Sequence, residues 1–102
     1  MNLCVVSSYQ GDVDDFMSMM KEFEEEFKSC VSEWECGVVN TDKAGFSKII
    51  TMANVTDQER MHEIMSSPKM VEWDEAHNNT DIIYSLDRIN YHLLGRLISL
   101  LI

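Results

Sequence analysis

Residues 46–59, Phe46-Ser47-Lys48-Ile49-Ile50-Thr51-Met52-Ala53-Asn54-Val55-Thr56-Asp57-Gln58-Glu59, change hydrophobic period partway along. Up to Val55 the run is rich in β-branched and apolar residues, as a strand requires. Thr56 to Glu59 then has the spacing of a capping box, in which the two side chains satisfy each other's exposed backbone donors at a helix start. Upstream, Trp34–Val39 reads as a second strand, and the turn-prone residues 40–45 join the two as a hairpin. Downstream, Met61, Ile64 and Met65 give the helix an apolar face. Ser67-Pro68 interrupts that helix and restarts it, with Ser67 as cap and Pro68 in the first turn, where its missing N–H costs nothing.

Outward from this segment, the chain repeats a simpler unit on either side. Leu3–Tyr9, in which Leu3-Cys4-Val5-Val6 is apolar on both alternating faces, reads as a central strand. Asp12 caps a following helix, with Asp14 and Asp15 near its positive end. Val13, Phe16, Met17, Met20, Phe23, Phe27 and Val31 form one apolar stripe along it, and Glu22 and Glu24–Glu26 lie mostly on the solvated side. After the second helix, which runs to about His77, Asn78-Asn79-Thr80 turns the chain into a last strand, Asp81–Ile89. The order strand, helix, strand, strand, helix, strand is the ferredoxin-like βαββαβ arrangement. It predicts an α+β fold: a four-stranded antiparallel sheet with both helices on one face, the other face being apolar and in need of a partner.

The 102 residues, 45% of them apolar, match one compact domain, with a core at 2–89 and an apolar C-terminal extension at 90–102. That extension is interrupted by Gly95 and Arg96 and is too short to span a bilayer, so burial at a subunit contact is the expectation. Eighteen acidic residues against eight basic ones give a net charge of -10, which repels phosphate backbones and anionic lipids. Nucleic acid and membranes are therefore not expected partners. Cys4, Cys30 and Cys36 form no C-x-x-C pair and no disulfide framework, and the first residues do not read as a signal peptide. The expectation is a cytoplasmic protein with reduced thiols, in which the N-x-T sequons at Asn54 and Asn78 carry no weight.

Few motifs carry chemistry. His62-Glu63 begins like H-E-x-x-H, but Ser66 stands where the second zinc ligand belongs. His62, His77 and His92 have no ligand spacing, and the thiols lack the partners of a tetrahedral zinc site. No metal and no cofactor is expected, and the four scattered glycines make no phosphate-binding loop. The most chemically loaded segment is Met70 to His77. Helical spacing puts His77 on one face with Met70, Trp73 and Asp74, so that an imidazole, an indole and a carboxylate converge. A structural role competes for each: a histidine at a helix end commonly serves as a C-terminal hydrogen-bonding group, and Trp73 as core. Tyr9 and Tyr84 place hydroxyls at strand positions, where a tyrosine commonly packs its ring and wets its tip.

The run Ser66-Ser67-Pro68-Lys69-Met70-Val71-Glu72-Trp73-Asp74-Glu75-Ala76-His77, after a strand and a capped helix, resembles the second half of dimeric α+β barrel proteins of the antibiotic-biosynthesis-monooxygenase-like superfamily. The resemblance covers about residues 2–89 through a loose pattern. It implies a homodimer whose sheets face each other as a barrel, with a small-molecule pocket between sheet and helices in each subunit. That superfamily includes cofactor-independent oxygenases and haem-degrading enzymes. In the latter an axial histidine ends the same helix within a sequence similar to Glu75-Ala76-His77. Here the histidine stands farther from the serine break, Ser7 and Ser8 occupy the place of an asparagine, and the third strand lacks their tryptophan.

Two function classes follow. In one, a cofactor-independent monooxygenase-like enzyme binds an aromatic or lipophilic metabolite in a pocket lined by Met52, Met70, Trp73, Asp74 and Tyr84, with His77 as catalytic general base. In the other, the same homodimer is a non-catalytic binding or regulatory module for a small apolar molecule. A haem-binding or haem-degrading protein is a third and weaker reading.

Overall fold

The computed structural model describes residues 1–41 and 43–87. Four strands, β1 (Leu3–Gln10), β2 (Val31–Val39), β3 (Phe46–Val55) and β4 (Thr80–Ser85), form one sheet in the order β2-β3-β1-β4 with every pairing antiparallel. The helices are α1 (Val13–Glu22), α2 (Glu24–Lys28), α3 (Gln58–Met65) and α4 (Pro68–Ala76). Each of the two expected helices is thus a broken pair, and the expected element order, the central place of β1 and the α+β class are observed. The expected continuation of the last strand to Ile89 and the extension at 90–102 lie outside the described residues.

Local chemistry accounts for each boundary. Asp12 accepts from the Asp15 N–H at 3.0 Å and Asp15 Oδ2 accepts from the Asp12 N–H at 3.0 Å, a reciprocal cap for α1. The chain breaks at Phe23, so Val31 opens β2 instead of closing the helical stripe, and Met19 is buried where Met17 was expected. The cap of α3 is Asp57, whose carboxylate accepts from Arg60 N at 3.0 Å. Thr56, expected as the cap, stands one residue before it, and Cys30 O accepts from the backbone N–H of both Thr56 and Asp57, at 2.8 and 3.4 Å. Ser67 caps α4 with Pro68 in the first turn, as the sequence requires.

Alternation along the strands decides what is covered. Val5, Ser7 and Tyr9 of β1 and Ile49, Ala53 and Val55 of β3 are buried on the helix side. Of these, Tyr9, Ile49, Ala53 and Val55 pack with Phe16, Met19, Phe23, Phe27, Ile64 and Met70 in one core, against which Trp34 and Trp73 also rest. The register places Val6 beside Ile50 and Ile82, and Cys4 beside Met52 and Tyr84, on the opposite face, where no described helix lies. Met52, Ile82 and Tyr84 are exposed there. The side chain of Asn2 exchanges two hydrogen bonds with the Val55 backbone, at 2.9 and 2.8 Å, and closes the end of the sheet.

Gly11 joins β1 to α1 at φ +146, and a Cβ there would lie 2.5 Å from Asp15 Oδ2, the oxygen that caps the helix. Gly37 has nothing within 4 Å of such an atom. Gly11→Ala is therefore expected to destabilise by about 1–3 kcal/mol, and Gly37→Ala to change stability by no more than about 1 kcal/mol. Urea denaturation of the two variants checks this, and equal midpoints would contradict it.

Candidate functional site

Between the sheet and the helices lies a partly open cavity of about 60 Å³. That is space for a few water molecules, and a small ring needs the flexible methionines of the lining to shift. Its floor is sheet, from Val5 and Ser7 of β1, Thr51 and Ala53 of β3 and Val31 and Trp34 of β2. Its roof is helix, from Phe16, Met19 and Met20 of α1, Phe27 of α2, Met61 and Met65 of α3, and Met70, Trp73 and Asp74 of α4. Methionines with flexible thioether chains and wide aromatic faces leave irregular space of this kind more readily than branched residues do. Trp73 is held by an aromatic cluster: its ring lies 5.3 Å from Tyr9, 6.3 Å from Phe16 and 4.2 Å from His77, the last nearly parallel.

Asp74, Asn79 and Asp81 cluster where α4 meets β4, and Thr51 adds a hydroxyl from β3. Asn79 Nδ2 donates to Asp74 Oδ1 at 2.9 Å and to Asp81 Oδ1 at 3.0 Å, so one amide bridges two carboxyl groups. This fixes the amide orientation, since its oxygen in that place would face two acceptors. Asn79 Oδ1 is left buried and without a hydrogen-bond partner among the described residues. Ser7, 5% exposed, completes the polar margin from the sheet side. Burial pushes the Asp74 carboxyl above the ordinary carboxylate range; the Asn79 hydrogen bond opposes this, the Asp81 charge adds to it, and His77 opposes it again.

The structure brings Met70, Trp73 and Asp74 together at this cavity, as the sequence suggested. It does not bring Met52 and Tyr84 there. Both alternate onto the open face of the sheet, because β3 and β4 present Ala53 and Ile83 to the helix side at that level. His77 is the C-cap residue of α4, and the cavity lining does not include it. Its Nδ1 lies 2.8 Å from Trp73 O and its ring stacks on the indole, so Trp73 stands between it and the cavity. Tyr9 is fully buried and donates its hydroxyl to Asp12 O at 2.5 Å. Sequence reasoning missed Ser7, Asn79 and Asp81. Ser7 was signalled by its inward phase between Val5 and Tyr9; the other two fall in a turn and at a strand start, where periodicity carries no orientation.

Among the described residues, no group of three or more histidine, cysteine, aspartate or glutamate side chains is arranged to hold a metal ion, and no helix is long and apolar enough to cross a membrane. A tetrapyrrole far exceeds the observed space, and the histidine that would ligate it is turned toward the Trp73 carbonyl. The residues do not fit haem.

A carboxyl whose proton affinity is raised on folding makes the folded state bind more protons than the unfolded chain just above the ordinary carboxylate range. Stability from this group therefore falls as pH rises through that window. Asp74→Asn is expected to flatten this part of the stability-against-pH curve, measured by urea midpoints from acid to neutral pH. An unchanged slope would contradict the assignment.

No family model and no curated protein matches the chain. Solved structures do. A variant of SnoaB, a cofactor-independent oxygenase from Streptomyces nogalater, superposes with a TM-score of 0.55 at 13% identity, covering 88% of this chain and 97% of that one. A dimeric ferredoxin-like protein from an uncultured marine organism gives 0.52 at 10% identity over 86% and 96% of the two chains. The de novo designed protein Foldit4 gives 0.52 at 12% identity over 85% and 97%. Such identities establish shape and not activity, and a designed protein of the same shape makes the point directly. The chain thus has the ferredoxin-like α+β fold.

Proposed function

We propose that this protein is a homodimeric α+β barrel that binds a small apolar or aromatic molecule in the cavity between its sheet and helices. The observation that carries the reading is the cavity itself. Its lining is almost wholly methionine, aromatic and aliphatic, and its few polar groups are gathered at one side, the usual division between a surface that gives affinity and groups that give orientation. The sheet face that the described helices leave uncovered, with Val6, Ile50, Met52, Ile82 and Tyr84, supports the homodimer, since contiguous apolar surface of this kind marks an interaction site. The likeness in fold to a dimeric ferredoxin-like protein supports it too. Three unpaired thiols support a reducing, cytoplasmic setting.

An enzymatic version of this reading, on the lines of a cofactor-independent oxygenase, is favoured by one feature. Asp74 lines the cavity, and burial strengthens its carboxyl as a base. It is better placed than His77 to take a proton from an activated phenol or enol, whose carbanion would then react with dioxygen. In this version His77 orients the Trp73 indole from behind and does not touch the substrate.

Trp34 and Trp73 both line the cavity, so occupancy is readable in their fluorescence. Toluene is expected to shift the emission saturably, with an affinity on the order of 0.1–1 mM for a ligand of this size. Met70→Phe and, independently, Ala53→Leu reduce the space and are expected to weaken the response at least about tenfold while circular dichroism stays native. Absence of a saturable response in the native protein, or equal responses in both filled variants, would overturn the reading.

A further inference from the structure

We infer that the cavity is a narrow channel for an unbranched aliphatic chain, which lies diagonally across the sheet with a hydroxyl end beside Ser7 and Asp74. The inference rests on the proposal that the cavity binds a small molecule, and adds which kind.

The shape follows from strand register. The lining moves one inward position per strand: Val31 and Trp34 on β2, Ala53 and Thr51 on β3, Val5 and Ser7 on β1, ending at Asp81 on β4. Each step across is a register pair, Trp34 with Ala53, Thr51 with Val5 and Ser7 with Asp81. The inward residues off this diagonal, Leu3, Cys36, Ile49 and Ile83, do not line the cavity. Its floor is therefore a stripe and not a round patch. Val31 pairs with Val55 and Ser7 with Ile49, so the stripe runs roughly 20 Å along the strands while crossing from β2 to β4, roughly 14 Å.

Spread over a stripe of that length, a volume of about 60 Å³ is a file of water-sized spheres and not a chamber. An extended polymethylene chain has this form. A fused ring system is wide in two dimensions and would have to push the Phe16, Trp34 and Trp73 rings aside. The roof suits a chain too, because the unbranched thioethers of Met20, Met61 and Met65 conform along it. The two ends of the stripe differ. Around Val31 the sheet lining is Trp34 and Ala53, wholly apolar, whereas Ser7 and Asp81 at the far end stand with Asn79 and Asp74. A hydroxyl both donates and accepts, so it satisfies the Asp74 carboxyl in either protonation state, and it fixes the direction of the chain.

The test is a titration of the full-length protein with straight-chain 1-alkanols from butanol to decanol, and with the compact alcohols cyclooctanol and 1-adamantanol, read by tryptophan fluorescence and calorimetry. Affinity is expected to rise about three- to fourfold with each added methylene through decanol, and cyclooctanol to bind at least about tenfold more weakly than 1-octanol. Ala53→Leu narrows the apolar half of the stripe, and should remove the gain from octanol to decanol while leaving butanol within about threefold. Compact alcohols that bind as tightly as 1-octanol, or an affinity that stops rising by hexanol, would overturn the channel and leave the cavity reading standing. Binding of toluene without the alkanols would do the same. Failure of every probe, toluene included, would overturn both. An Ala53→Leu protein that keeps the full chain-length dependence would also overturn the channel.

Discussion

The rest of the structure depends on the sheet being apolar on both faces while the four helices cover only one of them. β1 sits between β3 and β4 and alternates Val5, Ser7 and Tyr9 toward the helices with Cys4, Val6 and Ser8 away from them. Burying the helix side builds the core; each fully buried aliphatic side chain is worth roughly 1.5–3 kcal/mol of transfer free energy. The same alternation leaves Ile50, Met52, Ile82 and Tyr84 on the other side, where leaving them in water forgoes a comparable gain. In the proposed homodimer a second copy recovers it.

Trp73 links the core to the site. Its indole packs against Tyr9 and Phe16, takes the stacking contact of His77 and forms part of the cavity wall. Through its backbone carbonyl it also engages the His77 ring, which fixes the C-terminal end of α4 and hence the turn to β4. That turn places Asn79 and Asp81 opposite Asp74. The polar side of the cavity is therefore a product of how one helix ends, and the left-handed backbone of Asn78, at φ 49, is part of that ending.

The architecture was legible because it is written in periods. The β3 bounds, the Ser67-Pro68 restart and the central place of β1 all follow from local rules that the tertiary structure does not override. Where two local rules competed, the sequence was less decisive. Thr56 and Asp57 both suit a helix cap, and the helix begins one residue later than a Thr56 cap requires, with the Asp57 carboxylate accepting from Arg60 N. The site was only partly legible. Helical spacing grouped Met70, Trp73 and Asp74, which all line the cavity, and placed His77 near them, but could not show that the indole intervenes between imidazole and cavity. Met52 and Tyr84 were assigned by residue type, and type does not specify the face; strand register does. Asn79 lies in a turn, so its bridging amide emerges only once α4 and β4 are in place.

Native mass spectrometry of the full chain tests the central claim, that the uncovered sheet face is buried against a second copy. The account predicts a dimer of the 11.8 kDa chain, converted to monomer by Ile50→Asp, which puts a charge in the middle of that face. A monomer for the native chain at micromolar concentration, or a dimer untouched by that substitution, would contradict it.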